Sequence, residues 1–405
     1  MAMAGNGTLG PRLERWTRAV GEAGLDGWLI ADFRWNNPLF ARLLGLDSGI
    51  LTRRAFLWLP AHGVGEPRVL ASRVDGHAVS GLACPVTLYG GFEEMSALLG
   101  ATLPMGGRVA MEYVERGLLP TVSRVDAGLV ELVRSYGVDV VSSGALIAML
   151  EVWDAGQRAL HERAARGVDE ARRAALRRCA DLLGRGDEVT EGLLAAVISA
   201  SFHEAGLAPG DGPDVAVDAN AADPHYSVAP GSPGAPVPPD AVLLIDLWAR
   251  VRDAEDAPYA DSTWMAYTGP TPPAALGRAF AVAAAARDVA IAAISGAARA
   301  GAPLPGREVD RIARGVVVEA GLAGALVHRT GHSLGVDHIH GMGANLDDVE
   351  FPDDRPLLPY SGFTVEPGLY WPGRFGVRLE VSAILLPDRL EVTTESQGAL
   401  TLFPH

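Results

Sequence analysis

An acid stands in the middle of an apolar strand. Residues 241–251, AVLLIDLWARV, carry Asp246 among aliphatic neighbours. Burying an ionised carboxylate there is costly unless it is paired or holds a metal. A second strand-like segment, DSTWMAY (261–267), opens on Asp261, and the charged stretch between the two reads as the turn of a hairpin. A further hairpin has the same character: FTVEPGLY (363–370) holds Glu366, GVRLEVSAILL (376–386) holds Glu380, and WPGRF joins them. Strand alternation puts Arg378, Glu380 and Ser382 on one side, with Val377, Leu379 and Val381 on the other. One such acid alone would read as an ordinary sheet edge, and Arg378–Glu380 alone as a buried ion pair. Four acids in two hairpins point to a site.

Between the hairpins lies HRTGHSLGVDHIHG (328–341), where His332, His338 and His340, three of the chain's ten histidines, fall within nine residues beside glycines. Two Asp, two Glu and a His make an oxygen-rich donor set with one imidazole, which suits Mn²⁺, Co²⁺ or Zn²⁺. Four carboxylates carry about four negative charges, so charge balance points to two divalent ions with a water between them as nucleophile.

The rest of the chain frames this site. At roughly 150 residues per domain, 405 residues suggest two or three domains. The first part reads as a small α/β unit. A helix over Arg12–Ala23 precedes a strand at Gly27–Ala31, with further strands at Phe56–Leu59, Val69–Ala71 and Val138–Val141. The polar-aromatic loop Asp32–Asn37 follows the first strand directly. Residues 143–183 read as helical, and their arginines, interleaved with acids, read as a solvated salt-bridged face. The boundary is placed at 1–158 and 159–405. Residues 228–240 are Pro/Gly-rich, as a linker or a long loop would be. The Ala-rich stretch 274–302 is interrupted by Arg278, Arg287, Asp288 and Arg299, which makes it an amphipathic helix of a soluble protein, with no membrane role. Cys84 and Cys179 are the only cysteines, which excludes a disulfide scaffold or a thiolate zinc module. A formal charge of −15 argues against a nucleic-acid partner. The stretch Met1–Gly10 lacks the pattern of a signal peptide, so a cytoplasmic protein is expected.

In the order of these motifs, residues from about 160 onward resemble the pita-bread metallopeptidases: methionine aminopeptidase, aminopeptidase P and prolidase. The resemblance rests on Leu244-Ile-Asp246, Tyr259-Ala-Asp261-Ser-Thr263, Gly331-His-Ser-Leu-Gly335, Glu366-Pro-Gly-Leu-Tyr370 and Gly376-Val-Arg-Leu-Glu380. It implies an α/β two-domain chain, with a creatinase-like N-terminal domain ahead of an α+β pita-bread catalytic domain. The N-terminal domain favours the Xaa-Pro branch. The metal ligands it implies are Asp246, Asp261, His332, Glu366 and Glu380, holding two ions, Mn²⁺ first and Co²⁺ or Zn²⁺ after it.

The resemblance further implies His225, in Asp223-Pro-His225-Tyr226, at the mouth of the site, which makes 228–240 a loop of the catalytic domain. His340, with His338 as the alternative, is the second active-site histidine. Glu366 takes the nucleophile's proton, and His225 and His340 steady the oxyanion or help the amine leave. Arg378 orients Glu380 or, as Arg34 also would, holds a substrate carboxylate. Trp264 stands where relatives carry Arg. The implied activity is Xaa-Pro dipeptidase, with aminopeptidase P or a non-catalytic binding module as rivals, and the implied assembly is a homodimer.

Overall fold

The computed structural model describes residues 9–46 and 51–403, so most of the stretch scanned for a signal peptide lies outside the described residues. Two compact units divide between Ile147 and Ala148. Residue 158 instead sits early in a 29-residue helix whose neighbours are a helix and strands of the second unit.

The first unit is built on a six-stranded sheet: β1 (Gly27–Phe33), β2 (Arg54–Pro60), β3 (Arg68–Ser72), β4 (Val86–Tyr89), β5 (Arg108–Met111) and β6 (Asp139–Ser142). Their order is β4-β3-β2-β1-β5-β6. Helices α1 (Leu9–Glu22), α2 (Pro38–Leu44), α3 (Phe92–Thr102) and α4 (Ala127–Ser135) accompany it. One core joins Leu29, Phe56, Trp58 and Val109 from the sheet to Leu99, Leu129 and Val133 from α3 and α4. Beside β5, Glu112 is fully buried and accepts hydrogen bonds from Trp28 Nε1 (2.7 Å) and Asn37 Nδ2 (2.8 Å). Burial pushes its carboxyl up to about 7 against the pull of those bonds. The loop after β1 is bent around Asp32, which accepts from Trp35 N (3.0 Å) and Asn37 N (2.7 Å). Arg34 and Trp35 both take φ of 59°, left-handed backbone that costs a residue with a Cβ.

Helix α5 (Gly144–Leu150) leads into the second unit, followed by α6 (Ala155–Leu183), α7 (Glu191–Glu204), β7 (Leu207–Ala208) and β8 (Asp214–Val217). The hairpin β9 (Val242–Val251) and β10 (Ala260–Tyr267), with Asp246 opposite Thr263 and Trp248 opposite Asp261, is the centre of its main sheet. Then come α8 (Ala274–Ala300), α9 (Gly306–Glu319), β11 (Gly362–Val365), β12 (Gly368–Trp371), β13 (Phe375–Arg378), β14 (Val381–Leu385), β15 (Leu390–Val392) and β16 (Thr401–Leu402).

Alternation along β9 decides what each face does. Leu243, Ile245 and Leu247 join α6 and α7 in one core. On the other face Val242 and Leu244 join the core of α8 and α9, after which Asp246 and Trp248 turn into an open pocket. Trp264 lies on the α6 face of β10, with the Arg172 guanidinium 3.7 Å over its ring, so it does not border the pocket. Arg172 is also the exception to the solvated helix face expected for α6: it is buried and paired with Asp169 at 2.8 Å. Helix α8 passes the length and hydropathy test for a membrane span. It nevertheless buries Leu276, Phe280, Ala283 and Ile294 in the core, and Arg287 at its middle donates to Gln397 O at 2.9 Å. Residues 228–240 form a loop inside the second unit. Glu191, fully buried at the start of α7, accepts from Val217 N, Asn220 Nδ2, Tyr226 OH and Ala235 N within 2.7–2.9 Å.

Candidate metal centre

The face shared by Asp246, Asp261 and Thr263 meets the second hairpin edge-on. Strands β11 and β14 pair with each other, as do β12 and β13, so the two long strands expected from sequence are each interrupted, at Glu366–Pro367 and at Leu379–Glu380. The interruptions fall at the acids. There the backbone serves other partners: Glu366 N donates to Thr330 O (2.7 Å) and Glu380 N to Thr263 O (3.3 Å).

His332 is held against β11. Gly331 makes the approach possible, since a Cβ there would lie 2.1 Å from Thr364 O. His332 N donates to Thr364 Oγ1 (3.0 Å), and that hydroxyl donates to Glu366 Oε1 (3.2 Å). His332 Nδ1 lies 3.0 Å from Ser333 O, which assigns the ring proton to Nδ1 and leaves the Nε2 lone pair facing inward. Nε2 is 3.6 Å from both Asp261 Oδ2 and Glu366 Oε1.

Thr263 has one hydroxyl proton and three neighbours. Its Oγ1 is 2.8 Å from Asp246 Oδ1 and 2.7 Å from Glu380 Oε2, and it accepts from Arg378 Nε at 3.0 Å. One proton serves one carboxylate, so the other needs a second proton or a cation. Arg378 also donates to Tyr370 OH (3.1 Å) and forms an ion pair with Asp246 through Nη2. The arginine expected beside Glu380 meets it through Thr263 Oγ1 and is also ion-paired with Asp246.

The electrostatics are those of a cluster short of positive charge. Burial first, then Asp246 and Glu366, push Asp261 up to about 7 despite His332. Burial, Asp261 and Glu366 hold Glu380 well above the usual carboxylate range. For Glu366 burial is outweighed by His332, His328 and Arg378, and its carboxyl stays low. Asp261 Oδ1 and Glu380 Oε1 are buried with no donor among the described residues. Donor atoms of Asp261, His332 and Glu380 all lie within 4.8 Å of one another. Orphaned oxygens, an inward imidazole lone pair and hard donors fit a divalent cation.

These groups line a cavity of about 380 Å³, together with His225, His338, His340 and Arg378. His225 is exposed, its backbone N donating to Asp223 Oδ1 at 3.0 Å. Both His338 and His340 reach the cavity. The His340 ring stands edge-on to His332 at 4.3 Å, and the neighbouring His332, ahead of burial, pushes it down to about 3.

Sequence reasoning assigned no role to several lining residues. His328 Nδ1 lies 2.6 Å from Arg329 O, so its Nε2 accepts from Tyr370 OH at 2.8 Å, extending the line Asp246–Arg378–Tyr370. Its place four residues before His332 was a legible signal. Trp248, two after Asp246 on one face, was another. Asp214, pushed up to about 6 by burial and then by Asp246, enters only through the pairing of β8 with β9, which no local pattern announces.

Comparison with known proteins agrees with this geometry. Residues 159–385 match the model of metallopeptidase family M24. The chain belongs to that family. A probable dipeptidase PepE of Mycobacterium tuberculosis is 42% identical over 81 residues, 20% of this chain and 20% of the relative. An Xaa-Pro dipeptidase of Lactobacillus delbrueckii subsp. lactis is 33% identical over 98 residues, 24% of this chain and 25% of the relative. These alignments thus span about a fifth to a quarter of the curated relatives. The crystal structure of dipeptidase PepE from Mycobacterium ulcerans superposes with a TM-score of 0.72 at 22% identity, covering 100% of both chains. That likeness extends the two-unit α/β architecture over the whole chain, as the family resemblance implied. The M24 match carries with it the use of a divalent metal.

Proposed function

We propose that this M24 chain is an Xaa-Pro dipeptidase that hydrolyses the bond before a proline, using two divalent ions, Mn²⁺ first among them. The observation that carries this is the convergence of Asp246, Asp261, His332, Glu366 and Glu380 on one cavity, with two carboxylate oxygens lacking donors among the described residues. These five residues would hold the metal. Ions bound there supply Lewis-acid polarisation of the scissile carbonyl and activation of water near neutral pH. The names of the dipeptidase relatives support the substrate class.

The chain's own residues do the rest. Glu366, kept ionised by His332, His328 and Arg378, accepts a proton from the attacking water at its carboxylate. The water oxygen joins the carbonyl carbon, the C–N bond breaks, and the proton passes to the departing proline nitrogen. His225 and His340, at the cavity wall, donate to the oxygen of the tetrahedral intermediate. Arg378 holds Asp246, Thr263 and Tyr370 in place and is a positioning residue. Arg329, which lines the same cavity, is better placed than the already engaged Arg378 to meet the free carboxylate of a dipeptide. The enzyme acts as a soluble homodimer in the cytoplasm, which sedimentation and fractionation check.

The test offers the Mn²⁺-loaded enzyme Ala-Pro, Ala-Pro-Ala and Met-Ala-Ala. Preference for Ala-Pro is expected, weakened at least tenfold by Arg329→Ala. Preference for Ala-Pro-Ala makes the protein an aminopeptidase P, and cleavage of none, with metal bound, makes it a binding module.

A further inference from the structure

We infer that Trp248 and Asp214 form a subsite for a cationic side chain on the residue before the scissile bond, so that Lys-Pro and Arg-Pro are favoured substrates. The inference rests on the dipeptidase reading above: in such a substrate only the first residue varies, so a side-chain subsite must read it.

Three features place the subsite. In the pairing of β8 with β9, Asp214 stands directly opposite Asp246, which puts its side chain on the face of the metal centre, one strand further out. Gly212, two residues before Asp214, leaves room for the Trp248 indole; a Cβ there would lie 2.6 Å from the ring. The indole and the carboxylate thus come to line the same cavity, with Asp211 exposed at its rim.

The acceptor for a cation is Asp214, and Trp248 offers its ring face. Asp214 Oδ1 and Trp248 Nε1 are buried with no hydrogen-bond partner among the described residues. The guanidinium that reaches this wall belongs to Arg378, already engaged by Asp246, Thr263 and Tyr370. Asp214, hydrogen-bonded by Ser227, thus keeps a negative charge that forms no ion pair among the described residues. An aliphatic stem lying on an indole with its ammonium or guanidinium at a carboxylate is how long cationic side chains bind, the stem against apolar surface and the charge at the tip. A neutral or acidic side chain would leave Asp214 unanswered or repelled.

The shared chemistry is a cation beside Asp214, and its rival source is the substrate's own α-ammonium. The experiment compares Lys-Pro, norleucyl-proline and Glu-Pro on the Mn²⁺-loaded wild type and Asp214→Asn, by kcat/KM and by calorimetric binding. A charged hydrogen bond predicts that wild type favours Lys-Pro over norleucyl-proline by roughly tenfold to a hundredfold, with Glu-Pro poorest. In Asp214→Asn the Lys-to-norleucine ratio should fall to within about threefold, since Asn keeps the shape and loses the charge. A wild-type ratio near one overturns the subsite, as does a ratio that survives Asp214→Asn. Equal losses on Lys-Pro and norleucyl-proline put the α-ammonium at Asp214 and overturn the side-chain assignment. If no Xaa-Pro bond is cleaved, the dipeptidase reading fails. The ratio of dissociation constants for Lys-Pro and norleucyl-proline then decides the subsite by itself, equal values overturning it.

Discussion

Each unit of this chain buries carboxylates, and the two sets are treated differently. Glu112 in the first unit has a donor for each oxygen, from Trp28 Nε1 and Asn37 Nδ2, and burial is what raises it. In the second unit Asp261 and Glu380 are pushed up by neighbouring carboxylates as well as by burial, and each leaves an oxygen without a donor among the described residues. Burial alone therefore does not mark a functional acid. What separates Glu112, and Glu191 in the second unit, from Asp261 and Glu380 is whether the protein completes the hydrogen bonding itself.

The contrast is broken most directly by removing the cation. Chelation should cost roughly three orders of magnitude in rate or more, as expected for the loss of several kcal/mol of charge stabilisation, and leave the first unit's amide-exchange protection unchanged. Glu380→Ala and Asp261→Ala should lose metal and most activity while staying folded; a mutant with full metal content and normal turnover would show the ligand misassigned.

Next in size is Arg378→Lys. It keeps one charge but loses the fork that spans Asp246, Thr263 and Tyr370, and metal affinity should fall roughly 10–100-fold, read by competition with a chelating dye. An unchanged affinity would mean that Asp246 needs no such support.

A third measurement sharpens the contrast through protons. Because Asp261 and Glu380 are raised without metal, ion binding must displace protons, so affinity should climb as pH rises from 6 to 8. Calorimetry in buffers of different ionisation enthalpy should report proton release at pH 6; none would contradict the raised carboxyls.

The last effect, on stability alone, belongs to Glu112. Its folded value, about 7, is above the ordinary 4.5, so the folded state holds the proton more tightly. Its contribution is full below about pH 4.5 and falls as pH rises toward 7, by on the order of 3 kcal/mol in total. Glu112→Gln should flatten the stability profile of the first unit across that window, measured by amide exchange against pH.

Much of the centre was legible because its acids interrupt apolar strands, a pattern that costs too much to be accidental. Asp246, Asp261, His332, Glu366 and Glu380 could all be named from local sequence. The choice between His338 and His340 could not, since both reach the cavity from one short loop. Alternation placed Arg378 beside Glu380, and the two meet through Thr263 Oγ1; the further pairing of Arg378 with Asp246, 132 residues away, left no mark in the strand. Asp214 was hidden because strand pairing across 32 residues leaves no mark in either segment. Trp264 looked like a change to the pocket until alternation along β10 turned it toward Arg172.

Glu191 has an evolutionary consequence. The carboxylate that receives Tyr226 OH also receives Ala235 N, so both ends of the Pro/Gly-rich segment between them are fastened to one residue. The length of that segment is thereby uncoupled from the position of His225. Insertions between residues 228 and 231 would lengthen the loop ahead of the contacts that Ser232 and Pro233 make with Gly192, while the histidine keeps its anchorage.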